Sequence, residues 1–144
     1  MTGLLALITA ALFTGAAVYI NVAEHPARLK LGDRAMLVEW LPAYKRGTLM
    51  QAPLAVISAL LGAAAWWTSG AWPFAAGALL MLGNLPYTLI VIMPVNHRLE
   101  AIGPVDDPTP ARSLINRWAG LHAGRSMLGA FATIFYLAAL APIN

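Results

Sequence analysis

The placement of charge constrains this chain more than any other feature. Nine Lys/Arg and six Asp/Glu occur in 144 residues, and all of them fall in two windows, Glu24–Arg46 and Arg98–Arg125. Residues 1–23, 47–97 and 126–144 carry none. Charge-free apolar runs of about 18 residues or more read as membrane spans. Only 10% of residues are charged and 60% are hydrophobic, against about 25% charged in an ordinary soluble domain. A soluble globular domain and a disordered chain are both excluded on this ground.

The expected fold is all-α: an integral membrane four-helix bundle forming one domain over residues 1–144. Its spans fall at about 3–23, 48–68, 72–95 and 120–141. Each is long enough to cross a hydrocarbon core of about 30 Å at about 1.5 Å per residue. In lipid such runs must be helical, because no water satisfies the backbone. Span one lacks the basic leader of a secretion signal and is read as retained. Only Ser69–Ala71 separates spans two and three, so they form a tight hairpin. An even number of spans puts both termini on one side and every Lys and Arg on the other. The positive-inside rule makes the charged side cytoplasmic, with multi-pass placement in the plasma (inner) membrane and both termini on the non-cytoplasmic side. The net charge of +3 thus reports topology. It does not indicate nucleic acid, since bases and acids are interleaved. Trp66, Trp67 and Trp72 at the outer hairpin, with Trp40 and Trp118 at the inner boundary, fit an aromatic belt.

A cytoplasmic interfacial helix is expected between spans 1 and 2, over about Leu29–Arg46, with Asp33 as N-cap. Met36, Leu37, Trp40, Leu41 and Tyr44 share one face at helical spacing. That face either lies in the membrane interface or folds against the inner mouth of the bundle, and Pro42 should kink or divide the helix. Residues Ile102–Pro110 read as a loop, and span four begins to wind at about Ser113–Trp118.

The three histidines, His25, His97 and His122, each lie near an inner membrane boundary. Asn21, His25 and Arg28 have i, i+4, i+7 spacing, and so do Trp118, His122 and Arg125. Two helices therefore offer polar stripes. Arg125 lies inside an apolar stretch, where an isolated charge costs about 2.5–3.5 kcal/mol at mid-span. Glu24 is its expected partner. The functional reading is a Glu24–His25–His122–Arg125 cluster, with Arg28, that binds an anionic or phenolic substrate. The bland reading is an ion pair anchoring the helices at the interface. Asn84, Tyr87 and Thr88 on span three either line a cavity or hold helices together. Asn96 is expected to close a helix end, with its amide in reach of the inner site. Gly120 and Gly124 form a GxxxG pair that invites close helix packing and permits oligomerisation. The absence of cysteine excludes thiol chemistry, and no P-loop or dinucleotide fingerprint occurs.

Several segments resemble the anthrone-oxygenase-like membrane family. They are Asn21-Val22-Ala23-Glu24-His25-Pro26-Ala27-Arg28, Met93-Pro94-Val95-Asn96-His97-Arg98-Leu99 and Trp118-Ala119-Gly120-Leu121-His122-Ala123-Gly124-Arg125. Tyr44-Lys45-Arg46-Gly47 and Met50-Gln51-Ala52-Pro53 fit between them. The resemblance runs over nearly the whole chain in the same order. It implies four spans and an oxidoreductase. Characterised fungal relatives oxidise anthrones to anthraquinones without a classical cofactor, whereas most bacterial members have no assigned role.

Three functions compete at this point. The first is a membrane-bound oxygenase acting on a lipophilic phenolic or polycyclic substrate that arrives from the bilayer, with no cofactor required. His122 or His25 would be the general base, since an unperturbed imidazole titrates near pH 6.5. Arg125 and Arg28 would stabilise the anion. Asn21, Trp40, Tyr44, Asn84, Tyr87, Asn96 and Trp118 would contact the substrate. The second uses a metal on His25, His97 and His122, with Glu24 or Glu100 as a further ligand, or a haem on one or two of these histidines. The third is non-enzymatic: a lipid or small-molecule binder, a transporter or an assembly partner. A carrier would show broken helices in matching repeats, and span one has no interior break to match Pro86.

Overall fold

The computed structural model describes residues 1–103 and 105–141. Pro104, inside the expected loop, and residues 142–144 lie outside them. Four helices account for almost all of the described residues: α1 Thr2–Arg28, α2 Asp33–Ser69, α3 Trp72–Glu100 and α4 Thr109–Leu140. All four are long and apolar enough to cross a membrane. They form a ring in which α1 and α3 each pack on both α2 and α4. The expected all-α four-helix architecture therefore stands.

The helices run further than hydropathy implied. The segment expected as a separate interfacial helix is the first part of α2, which continues through Pro42 and Pro53 without a break. Its apolar face does not lie in an interface. Met36, Leu37 and Trp40 pack with Ile92, Leu99 and Ile115 in a core at the charged end. Gly32, not Asp33, is the N-cap of α2, and the Asp33 carboxylate instead complements the positive end of the helix. At the far end Gly70 adopts φ +70° and donates to the Trp66 carbonyl (2.8 Å), the left-handed cap that glycine adopts without strain. Helix α4 starts at Thr109, several residues before the expected point. Asp107 accepts from Thr109 N (2.9 Å) and Oγ1 (2.6 Å), and these bonds hold its carboxyl below the usual carboxylate range.

Two π-turns interrupt the parallel helices α1 and α3, at Ile20–Glu24 and Thr88–Ile92. Each closes with an N–H bonded five residues back, His25 to Ile20 and Met93 to Thr88. Each is followed at once by a proline, Pro26 or Pro94. Proline donates no N–H, and its ring crowds the carbonyl four residues earlier. Widening the turn relieves that clash and rotates the flanking side chains.

A second core fills the uncharged end, built from Ala6, Phe13, Ala59, Met81 and Tyr136 among others. Tyr136 donates to the Ser58 carbonyl (3.0 Å). Its ring occupies the space beside Gly62 and Gly77, where a Cβ would collide with it. Between the two cores lies a layer of buried polar groups: Gln51, Asn84, His122, Arg125 and Ser126. The outer tryptophans match the aromatic belt, with Trp67 85% exposed. Trp40 and Trp118 do not. Both are buried in the inner core, because the start of α2 packs its Trp40 against Trp118 of α4.

Candidate functional site

The polar layer is organised around α4. His122 and Arg125 are one turn apart on a buried face of that helix. The Asn21 amide, delivered by the π-turn of α1, donates from Nδ2 to the Ala119 carbonyl (2.9 Å). That bond orients the amide, so its Oδ1 points at α4. There it accepts from Ser126 Oγ (3.0 Å) and lies 3.1 Å from His122 Nδ1. An amide oxygen only accepts, so Nδ1 carries the proton. His122 Nε2 is thereby left as the lone-pair nitrogen, with no partner among the described residues. The imidazole stacks on Trp118 at 4.9 Å, Trp118 meets the edge of Trp40 at 5.8 Å, and Trp40 stacks on Tyr44 at 5.0 Å. This aromatic row fixes one wall.

Arg125 is 8% exposed. Among the described residues it makes no salt bridge or hydrogen bond, and its Nε is fully buried and unpartnered. The Phe13 ring lies 5.4 Å from its guanidinium carbon. The expected Glu24–Arg125 pair does not form. Glu24 instead pairs with Arg28, four residues on in the same helix, and Arg28 also takes Glu39 from α2. The ion pair within one helix needs no crossing of the bundle, so it captures the carboxylate.

Two cavities meet at Arg125. The smaller, about 20 Å³, is lined by Glu24, Tyr44, Gln51, Trp118, His122 and Arg125. It has room for about one water-sized molecule. The larger, about 150 Å³, lies between α2 and α3 and is mostly apolar, with Ala52, Leu85, Leu89 and Met93 beside Asn84, Thr88 and Arg125. A guanidinium with open donors, next to an imidazole with an open lone pair, can bind and stabilise an oxygen anion while moving a proton.

The remaining expected residues scatter. His25 is half-buried, with an unpartnered Nδ1, and lines neither cavity. Arg28 is buried in its ion pairs, with its guanidinium 6.0 Å from the Trp118 ring. His97 is exposed on the last turns of α3. Among the described residues no three His, Asp or Glu side chains converge, so His25, His97 and His122 do not form the expected ligand triad. His122 is buried, His25 half-buried and His97 exposed, so the three rings do not share one environment. Tyr87 donates to the Leu121 carbonyl (2.9 Å) and fills the space beside Gly124, so it holds α3 to α4. Asn84 does line the larger cavity, its Oδ1 buried and unpartnered. Asn96 closes no helix end. It is fully buried mid-helix, with Nδ2 3.9 Å from Met93 Sδ. Gln51 is the residue sequence reasoning passes over. It is 1% exposed, and neither amide atom has a partner. Its signal was an amide side chain within a charge-free span.

The family profile described as anthrone oxygenase matches residues 40–135, which include Gln51, Asn84, His122 and Arg125. This chain belongs to the anthrone oxygenase family. It is also similar to anthrone oxygenase tpcL of Aspergillus fumigatus, at 28% identity over 142 residues, covering 92% of this chain and 88% of that one. No solved structure matches it. Family membership supports an oxygenase-like protein with four apolar helices.

Proposed function

We propose that this anthrone oxygenase family member is a membrane-bound oxygenase. It acts on a lipophilic phenolic or polycyclic substrate with an acidic C–H, without a bound cofactor. It sits in the plasma membrane with its charged end cytoplasmic. The supporting observation is Arg125, buried with no carboxylate partner and sharing a cavity with the open nitrogen of His122.

In this reading the rings occupy the apolar cavity between α2 and α3, and the substrate oxygen lies against Arg125. His122 Nε2 removes a proton from the methylene carbon, directly or through one water in the small cavity. The negative charge delocalises onto the oxygen held by Arg125, where a fixed cation in a water-poor site stabilises it. The carbanion passes one electron to dioxygen, and the resulting pair combines to a C–O bond. His122 returns its proton to the peroxide. Loss of the second C–H proton with cleavage of the O–O bond yields a ketone and water. One substrate and one dioxygen thus become one quinone and one water.

The test is oxygen uptake and quinone absorbance with anthrone and protein in nanodiscs. Turnover above protein-free nanodiscs that is lost in both His122→Ala and Arg125→Gln is the expected result. Wild-type protein no faster than empty nanodiscs overturns the reading and favours a binding role for the same cavity.

A further inference from the structure

The larger cavity has a neighbour along the bundle. Beyond it, on the same seam between α2 and α3, lies a second apolar cavity of about 190 Å³ that reaches toward the uncharged end. On α2 the two are lined in turn by Ala52, then Ala59 and Ala63; on α3 by Leu89 and Leu85, then Leu82. Spacings of seven and four put the α2 set on one helical face, Leu85 and Leu82 are one turn apart on α3, and Leu89 follows in the π-turn. The helices are antiparallel neighbours, so the two sets form the facing walls of one groove. From Thr48 to Ala63 that groove spans about 22 Å at about 1.5 Å per residue. Ala52, Ala55, Ala59 and Ala63 lower the α2 wall, with Val56 and Leu60 rising beside them at the second cavity. Polar groups occur only at the end that carries Arg125, Thr48, Thr88 and Asn84. The groove therefore has a cationic head and an apolar shaft.

We infer that the occupant of this site is a phenolic substrate with an acidic C–H and a single long hydrocarbon tail, with its oxygen at Arg125 and its tail along the α2–α3 seam; a tailed hydroxyquinone is its non-reacting analogue. The inference rests on the reading of the Arg125–His122 site given above. A compact polycycle would fill the first cavity and leave the second unused. A phospholipid would bring two tails to a seam that offers one shaft. A tail-bearing phenol matches the charge of the head and the length of the shaft, and it enters sideways from the bilayer.

Binding of 2-hydroxy-1,4-naphthoquinone and its 3-butyl and 3-undecyl homologues, read by tryptophan quenching in nanodiscs, tests this. Ala63 is exposed at the far end of the groove, so Ala63→Trp blocks the shaft without touching the core. The expected result is about tenfold weaker binding of the undecyl compound in Ala63→Trp, with the tailless compound unchanged within about twofold. Leu82→Trp, from the other wall, should act the same way. Equal effects on all three compounds, or none, overturn the groove and point to ordinary bilayer lipid in it. Arg125→Gln separates the two levels, because it should weaken all three compounds alike. If it changes nothing while the tail effect persists, the head-group reading falls and the groove stands. If it weakens all three while the tail effect is absent, the groove falls and the site stands.

Discussion

Asn21 Oδ1 lies 3.1 Å from His122 Nδ1, a contact between the π-turn of α1 and the middle of α4. It determines which imidazole nitrogen is free. The same oxygen accepts from Ser126, and the amide is oriented by its bond to Ala119. Asn21 is thus a positioning residue for the base and does not itself line either cavity.

Asn21→Leu should leave the Nδ1–H and the Ser126 hydroxyl unpaired, at a cost of about 1–3 kcal/mol in stability. With the tautomer no longer held, kcat should fall by about 10- to 100-fold, while KM changes little. Steady-state kinetics decides the matter. A rise in KM at constant kcat would make Asn21 a substrate contact.

Arg125→Met should raise stability while removing function. The side chain is buried without a counter-charge, and an isolated charge in this setting costs about 3 kcal/mol. Loss of its contact with Phe13 returns only about 1 kcal/mol of that gain. Turnover should drop by about 100-fold or more. Thermal unfolding in detergent checks the sign. A less stable Arg125→Met protein would indicate a partner for the guanidinium that the geometry does not contain.

The histidines should separate sharply. His122→Ala should lower kcat by about 100- to 10,000-fold, the range for loss of a general base. His97→Ala should be silent, since that ring is exposed. His25→Ala should retain most activity, because the ring lines neither cavity. Equal losses at all three positions would mean the rings act together.

The two glycines of the GxxxG pair should differ. A Cβ at Gly120 meets nothing within 4 Å, whereas one at Gly124 collides with the Tyr87 ring and hydroxyl. Gly120→Ala should stabilise by roughly 0.5–1 kcal/mol through helix propensity alone. Gly124→Ala should destabilise by about 1–3 kcal/mol through overpacking. Adding Tyr87→Leu should recover much of that loss, in a double-mutant cycle measured by thermal unfolding.

Much of the site was legible in outline. His122 and Arg125 stand out because ionisable groups are rare in apolar runs, and Trp118 shares their face at helical spacing. The partner of Arg125 was not legible. Glu24 is the carboxylate adjoining span one, and only the bundle shows that Arg28, which also pairs with Glu39, takes it. Nor was the i, i+7 placement of Arg28 beside Asn21 reliable, since the π-turn at Ile20–Glu24 inserts a rotation between them. Pro26 marks the place of that distortion in the sequence but not its form. Gln51 escaped notice because an amide in a span is usually satisfied by a neighbouring helix, and its isolation appears only when the neighbours are in position.

The sequence alone determined that this chain makes four apolar helices with its charges at one end. Those properties depend on hydropathy and backbone hydrogen bonding within each segment, which are local. Tertiary structure alone decided that Arg125 is left without a carboxylate, that His122 presents Nε2, and that the two cavities meet at Arg125. Each of those outcomes depends on distances between side chains from different helices. Those distances are set by how the helices pack and by where the π-turns rotate them.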